Sequence, residues 1–256
     1  MNTYPSLVPR QTRNAVVIAD DGKSWHLAVL SGPKTAYRLA QLDDYMALPR
    51  SSFPWYPPLT MSLRARVSAG SVIGTWGFGL WNDPFGFALG VGGTTRRFPT
   101  LPNAAWFFYA SPSNYLSFHD DLPAQGFLAA TFKSPRWGAC ALTPGLLGLP
   151  LLLIHPVARW IRRQLTRIIC QDAVAIDLDV MQWHRYRLVW DRSRVLFNVD
   201  DVLLLETDIS PNPPLGLVLW IDNQFAAFTP DGRIGYGLLE CPNTSFLELT
   251  NIMITR

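Results

Sequence analysis

Ser62-Leu63-Arg64-Ala65-Arg66-Val67-Ser68 alternates polar and apolar side chains without interruption, and this period of two decides the fold class. Successive side chains of a strand point to opposite faces, so such a segment is a strand with one face in a core and the other in water. The alternation returns in Tyr186-Arg187-Leu188-Val189-Trp190 and in Phe246-Leu247-Glu248-Leu249-Thr250-Asn251-Ile252-Met253-Ile254. Turn chemistry stands between these segments: Asp20-Asp21-Gly22, Asn82-Asp83-Pro84, Asn212-Pro213-Pro214 and Pro230-Asp231-Gly232. Many short strands separated by turns predict an all-β sandwich or barrel.

One stretch breaks the pattern. Val157, Trp160, Ile161, Leu165, Ile168 and Ile169 recur at helical spacing while Arg159, Arg162, Arg163 and Arg167 fall on the other face, which predicts an amphipathic helix over residues 156–169 with Pro156 in its first turn. The apolar run before it, Gly145 to Ile154, is too short and too broken by Gly and Pro to span a bilayer, which takes about 20 residues. Two readings stand side by side. Residues 146–169 rest on a membrane surface as a peripheral contact, or the helix caps one end of the sandwich with its arginines solvated.

A length of 256 residues suits one sandwich domain over 1–256, with residues 1–20 as an N-terminal arm and 141–171 as the helical insertion. Hydrophobic residues make up 48% and charged residues 16%, which supplies a core and argues against a disordered chain. Ten Trp, fourteen Phe and eight Tyr exceed the needs of the core, so some of them are expected to line a site. The net charge of +3 comes without a basic run interleaved with aromatics, which argues against nucleic acid as a partner. Cys140, Cys170 and Cys241 are odd in number and widely spaced, fitting neither a disulfide framework nor a metal site. Met1 to Arg13 contains no apolar stretch of a secretory signal, so the expected location is cytoplasmic. His26, His119, His155 and His184 are scattered, and no metal or other cofactor is expected. Gly90-Val91-Gly92-Gly93 lacks the strand-turn-helix setting of a nucleotide loop and reads as a turn.

The C-terminal half carries Trp183-His184-Arg185-Tyr186-Arg187-Leu188-Val189-Trp190, then Val195-Leu196-Phe197-Asn198-Val199-Asp200-Asp201, then Pro213-Pro214-Leu215-Gly216-Leu217-Val218-Leu219-Trp220. This order resembles the concanavalin A-like lectin/glucanase superfamily, in particular laminarinase-type β-glucanases, over residues 60–256. The resemblance implies a jelly roll of two antiparallel sheets with ligands across the concave face. Gly74-Thr75-Trp76-Gly77-Phe78-Gly79-Leu80-Trp81 is similar to the glucanase strand beside the catalytic one. In the hydrolases the catalytic strand carries alternating carboxylates: a nucleophile, a general acid/base and a tuning Asp. The corresponding stretch here, Asn103-Ala104-Ala105-Trp106-Phe107-Phe108-Tyr109-Ala110, has none. The resemblance therefore transfers the fold and the binding face but not glycosidase activity.

Three clusters offer chemistry. His119-Asp120-Asp121 places a His beside carboxylates able to orient it, with a polar turn as the plain alternative. Trp81-Asn82-Asp83-Pro84-Phe85 frames a carboxylate with aromatics, which would raise its pKa as a general acid requires, or it is an Asx-type turn. Trp220-Ile221-Asp222-Asn223-Gln224-Phe225 repeats that logic, against an ordinary hydrogen-bonded loop. The expected ligand-binding set is Trp76, Trp81, Asn82, Trp106, Tyr109, Asp121, Trp220, Asn223 and Gln224, with Asp83, His119 and Asp222 as candidate acids or bases. The leading expectation is a protein that recognises a carbohydrate or glycolipid on this aromatic face without conventional glycosidase activity. The alternative is a cyclase- or isomerase-type enzyme acting by acid/base catalysis on a lipophilic small molecule, and a β-glucanase is the third reading.

Overall fold

In the computed structural model, residues 2–3, 5–20, 23–84, 97, 99–135 and 154–256 are described. Their strands form two large antiparallel sheets. The first runs, in spatial order, Val202–Thr207, Val195–Val199, His184–Trp190, Leu59–Val67, Ser245–Thr255, Ser24–Val29 and Ala15–Asp20, with the short strand Asn2–Thr3 added onto Ser245–Thr255. The second runs Cys170–Ala175, Gly126–Lys133, Ala104–Ala110, Thr75–Trp81, Gly216–Asp222, Leu39–Asp43 and Val8–Gln11. A separate hairpin pairs Gln224–Phe228 with Ile234–Leu238.

Alternation sorts side chains between the two faces of each sheet as the sequence predicts. Along Leu59–Val67 every second residue is buried, and Met61, Leu63 and Ala65 meet Trp76, Phe78, Leu80, Phe107, Leu217 and Leu219 of the second sheet in one core. Phe78 lies 4.9 Å from Tyr186, and Phe107 lies 5.2 Å from Phe197, so aromatic pairs knit the layers together. Each such buried side chain contributes about 1.5–3 kcal/mol of transfer free energy. The second sheet is also covered over part of its outer face, where Phe108, Leu128, Ala130 and Phe132 form another cluster. That double burial explains why Ala104–Ala110 reads as a nearly unbroken apolar run.

Residues 1–20 depart from the expectation of an arm. Val8–Gln11 is an edge strand of the second sheet and Ala15–Asp20 an edge strand of the first, so this stretch belongs to both layers. Their pairing partners, Leu39–Asp43 and Ser24–Val29, are not set by local pattern, which is why residues 1–20 read as an arm.

The helix α1 spans His155–Ile168, with Pro156 in its first turn, and the chain after it returns to the second sheet as Cys170–Ala175. Positions 141–153 of the expected insertion, Cys140 and Gly90 to Gly93 lie outside the described residues. Leu165 and Ile169 pack onto the Phe108–Phe132 cluster, so the helix walls one end of the outer face of the second sheet. The expectation that all four arginines are solvated is corrected by Arg162, which is 2% exposed while Trp160 is 61% exposed. Arg162 donates to the carbonyls of Ser117 (2.9 Å) and Phe228 (2.6 Å) and to Asp120 Oδ1 (2.7 Å). Its guanidinium also lies 5.3 Å from the Tyr115 ring and 5.6 Å from that of Phe228. A buried cation is tolerated because its two terminal nitrogens are bonded to two carbonyls and a carboxylate, tying the turn at Ser117 to the hairpin strand Gln224–Phe228, while Nε is left without a partner among the described residues. No helix among the described residues is long and apolar enough to cross a membrane.

Replacing Arg162 by Leu leaves two carbonyls without a donor, and urea denaturation should show a loss of about 2–4 kcal/mol. The exposed neighbour replaced in the same way, Arg163→Leu, should stay within about 0.5 kcal/mol of the parent. Equal effects at the two positions would contradict this account of the helix.

Candidate functional site

The strand Thr75–Trp81 lies at the centre of the second sheet, between Ala104–Ala110 and Gly216–Asp222. Parity sends Trp76, Phe78 and Leu80 inward and leaves Thr75, Gly77, Gly79 and Trp81 facing out. Two of those outward positions are glycine, and their direct partners across the ladder are indoles: Gly77 stands opposite Trp220 and Gly79 opposite Trp106. With no side chain on the central strand, the two rings lean over it and meet at 5.6 Å between centroids. A methyl group at Gly77 would fall 2.8 Å from Cη2 of Trp220 and 2.5 Å from the Phe107 carbonyl oxygen, so the approach depends on glycine. Trp81 completes the group, 5.7 Å from Trp106 and 6.4 Å from Trp220, with its plane only 7° from that of Trp220.

All three indoles are half-buried. Trp220 is pinned by its own N–H, which donates to Thr75 Oγ1 at 2.9 Å, and Thr75 in turn donates to Asp222 Oδ1 at 2.8 Å. Trp106 leans on Phe108 (5.3 Å) and Phe132 (6.1 Å), and its Nε1 is buried without a hydrogen-bond partner among the described residues. An unpaired buried donor on a half-open aromatic face is a position for a ligand acceptor.

Asp222 is 6% exposed and accepts from Thr75 and from the backbone N–H of Gln224 (3.3 Å), with the Tyr37 hydroxyl also bonded to it. Burial pushes its carboxyl up to about 7, against the opposing pull of those hydrogen bonds. The carboxyl therefore stands near its titration midpoint at neutral pH, in a site otherwise lined by rings.

The structure does not bring the remaining expected residues to this face. Trp76 and Tyr109 stack at 5.8 Å on the inner side of the sheet, within the core. Asn82 gives its amide to the backbone, donating to the Leu101 carbonyl and accepting from the Asn103 N–H. Asn223 likewise bonds the Arg38 N–H and the carbonyls of Ala36 and Leu239. Gln224 is half-buried at the start of the hairpin. Asp83 is paired with Arg97 at 2.6 Å, in a loop that Arg97 also ties to the carbonyls of Tyr45 and Met46. His119 and Asp121 lie in a turn beside α1, where His119 Nε2 is 3.0 Å from the Ile169 carbonyl and Asp121 is exposed. That turn borders a separate polar cleft of about 280 Å³ shared with Arg159, Arg162 and Arg163. Thr75, Tyr37, Gly77 and Gly79 escaped sequence reading, although the outward Gly-x-Gly spacing was a legible sign of close approach.

No protein-family model and no curated protein matches the chain. Solved structures do. A LamA variant from Zobellia galactanivorans, crystallised with laminaritriose and laminaritetraose, superposes with a TM-score of 0.50 at 14% identity over 94% of this chain and 81% of that one. A glycoside hydrolase family 16 protein of the Bacteroides ovatus mixed-linkage glucan locus gives 0.49 at 11% identity, over 97% and 93%. An endo-β-galactosidase from Clostridium perfringens gives 0.46 at 11% identity, and this chain spans 53% of its length. At 14% identity the likeness to the LamA variant establishes the fold alone, a two-sheet antiparallel jelly-roll sandwich.

Because the folded-state pKa of Asp222 is raised, the folded protein holds this proton more tightly than the unfolded chain. Its contribution to stability is complete below about pH 4 and is lost as pH rises through about 7. Between pH 4 and pH 8 the parent should therefore lose about 2–4 kcal/mol relative to Asp222→Asn in urea titrations. Asp44, raised to about 6 chiefly by burial, is common to both proteins and cancels in the comparison. Parallel pH profiles would contradict the assignment.

Proposed function

We propose that the protein binds a carbohydrate or glycolipid on the outer aromatic face of the second sheet and does not cleave glycosidic bonds by the paired-carboxylate mechanism. The observation that carries this reading is the group of Trp81, Trp106 and Trp220 closing over Gly77 and Gly79, with the Trp106 N–H left unpaired among the described residues. Half-buried indoles offer flat apolar platforms for the C–H faces of sugar rings, and a free donor beside them suits a hydroxyl oxygen.

The carboxylates on this face support binding over hydrolysis. The strand Ala104–Ala110, which the glucanase resemblance makes the catalytic one, contributes none. Asp43 and Asp222 occupy outward positions, but Asp43 pairs with Val218 and Asp222 with Leu39. Four residues of ladder separate them, on the order of 13 Å at strand rise, beyond the roughly 5–9.5 Å of retaining and inverting pairs. Asp43 is also engaged by Arg10 at 2.6 Å and by the Gln41 amide at 3.0 Å. On the flank, α1 turns Trp160, Arg163 and Arg167 outward, an arrangement compatible with a glycolipid presented at a membrane surface.

Calorimetric titration with a panel of β-glucan oligosaccharides and glycolipids tests the reading. At least one should bind, and Trp106→Ala or Trp220→Ala should weaken it at least tenfold, with no reducing ends released from laminarin. Binding by none of the panel, or release of reducing ends, would overturn it.

Asp222 favours a second reading, acid/base catalysis on a lipophilic small molecule, because a carboxyl poised near 7 sits two hydrogen bonds from the Trp220 ring. Asp83 and His119 are the further candidates for that chemistry, one held by Arg97 and the other at the Ile169 carbonyl.

A further inference from the structure

The polar cleft of about 280 Å³ beside α1 has no part in carbohydrate binding by the indoles, yet it is built from three elements. Its helical wall is Arg159, Arg162, Arg163 and Thr166. These stand at i, i+3, i+4 and i+7, so one stripe of α1 borders the cleft. The other walls are the turn at His119 and Asp120 and the hairpin turn that begins at Pro230. All three are fixed to one another. His119 Nε2 lies 3.0 Å from the Ile169 carbonyl, Arg162 donates to Asp120 Oδ1 at 2.7 Å, and Arg159 donates to the Asp231 carbonyl at 3.2 Å. Gly232 takes a left-handed φ of 86°, and a methyl group there would fall 2.7 Å from the His155 carbonyl oxygen. The hairpin turn therefore sits directly against the first turn of α1, an approach that only glycine permits.

The charge in this cleft is unbalanced. Three guanidinium groups line it against the one carboxylate of Asp120. Arg162 and Asp120 match each other, which leaves Arg159 and Arg163 in excess, with no carboxylate partner among the described residues. Asp231, whose carbonyl Arg159 reaches, has its own carboxylate paired with Arg233. Arg159 and Arg163 are neighbours at i, i+4, a like-charge placement that weakens a helix, and α1 contains no Asp or Glu to relieve it. Both are exposed and free to turn their forks toward a ligand, whereas Arg162 is buried and held by its own bonds. Asp120 is exposed and spends Oδ1 on Arg162, which leaves Oδ2 as an acceptor.

We propose that this cleft is a second binding site, for a phosphate monoester carried on a small polyol. The two guanidinium groups in excess match the charge of about −1.5 to −2 that such an ester carries at neutral pH. Their planar forks suit its oxygens, and a hydroxyl of the polyol would donate to Asp120 Oδ2. A sulfate ester or a carboxylate carries a single charge and would leave one cation unmet. The cleft lies just under the range of about 300–1,000 Å³ typical of drug-sized ligands, so it suits a head group and not an extended oligosaccharide. A soluble sugar phosphate and a phosphoinositide head group share this chemistry.

Two probes test this on the whole protein at an ionic strength of about 0.15 M, where exposed charges act only over about 8 Å. One is glucose 6-phosphate, titrated by calorimetry beside glucose 6-sulfate. The other is phosphatidylcholine vesicles with and without phosphatidylinositol 4-phosphate, followed by cosedimentation. At least one phosphate carrier should bind, and which one does identifies the source of the ester. Arg159→Gln combined with Arg163→Gln should weaken that binding at least tenfold. Arg163→Gln alone, which removes no hydrogen bond among the described residues, should weaken it at least threefold. Arg167→Gln, one turn further along α1 and outside the cleft, should weaken it by no more than about twofold, the effect of a single screened charge at that range. All three arginines are exposed, and an unaltered thermal midpoint would confirm that the variants fold. Binding of neither carrier, equal losses at Arg163 and Arg167, or tighter binding of glucose 6-sulfate than of glucose 6-phosphate would each overturn the proposal. Trp106→Ala should leave the phosphate affinity unchanged, so this site and the indole face fail separately.

Discussion

Two missing side chains organise the candidate site. On the central strand of the second sheet, Gly77 and Gly79 face outward where any other residue would stand as a ridge, and the indoles of Trp220 and Trp106 fill that space from either side. Their contact at 5.6 Å, the alignment of Trp81 with Trp220 and the hydrogen bond from Trp220 to Thr75 all follow from this approach. Thr75 then passes the constraint to Asp222, so the same backbone gap that gathers the rings also sets the surroundings of the one strongly shifted carboxyl on that face.

The rest of the fold works as a frame for this surface. The inner faces of both sheets are filled by large side chains, among them Trp76, Trp190, Tyr186 and Phe107, which fixes the layers against each other. At one end α1 closes over Phe108 and Phe132 with Leu165 and Ile169, while Arg162 binds the Ser117 and Phe228 carbonyls beneath it. At the other end Arg97 joins Asp83 to the carbonyls of Tyr45 and Met46 beside Trp81. Both walls are thus held by a cation taken into the protein, each matched with a carboxylate and with backbone carbonyls.

Much of this was legible in the sequence because strand parity is a local property. The alternation in Ser62 to Ser68 and Phe246 to Ile254 predicted the strands Leu59–Val67 and Ser245–Thr255, and the helical spacing after Pro156 predicted α1. Parity also held information that residue type obscured. Trp76 and Trp81 are an odd number of positions apart on one strand, as are Trp106 and Tyr109 on the next, so neither pair can share a face. Selecting the aromatics as a class merged the core stack of Trp76 and Tyr109 with the outer indoles. What local pattern does not carry is pairing across the chain: the Thr75–Asp222 bond joins residues 147 apart, and the Asn223–Arg38 bond residues 185 apart. The burial of Arg162 was hidden for the same reason, since its acceptors come from loops far from the helix.

The indole N–H resonances of the tryptophans offer the most direct measurement, followed by heteronuclear NMR as laminaritetraose is added to the whole protein. If the outer face of the second sheet is the binding surface, the signals of Trp81, Trp106 and Trp220 should move together with one saturating curve, while those of Trp25, Trp76, Trp183 and Trp190 stay in place. Shifts confined to Trp25 and Trp183, or saturating binding that leaves Trp106 and Trp220 unmoved, would contradict the account.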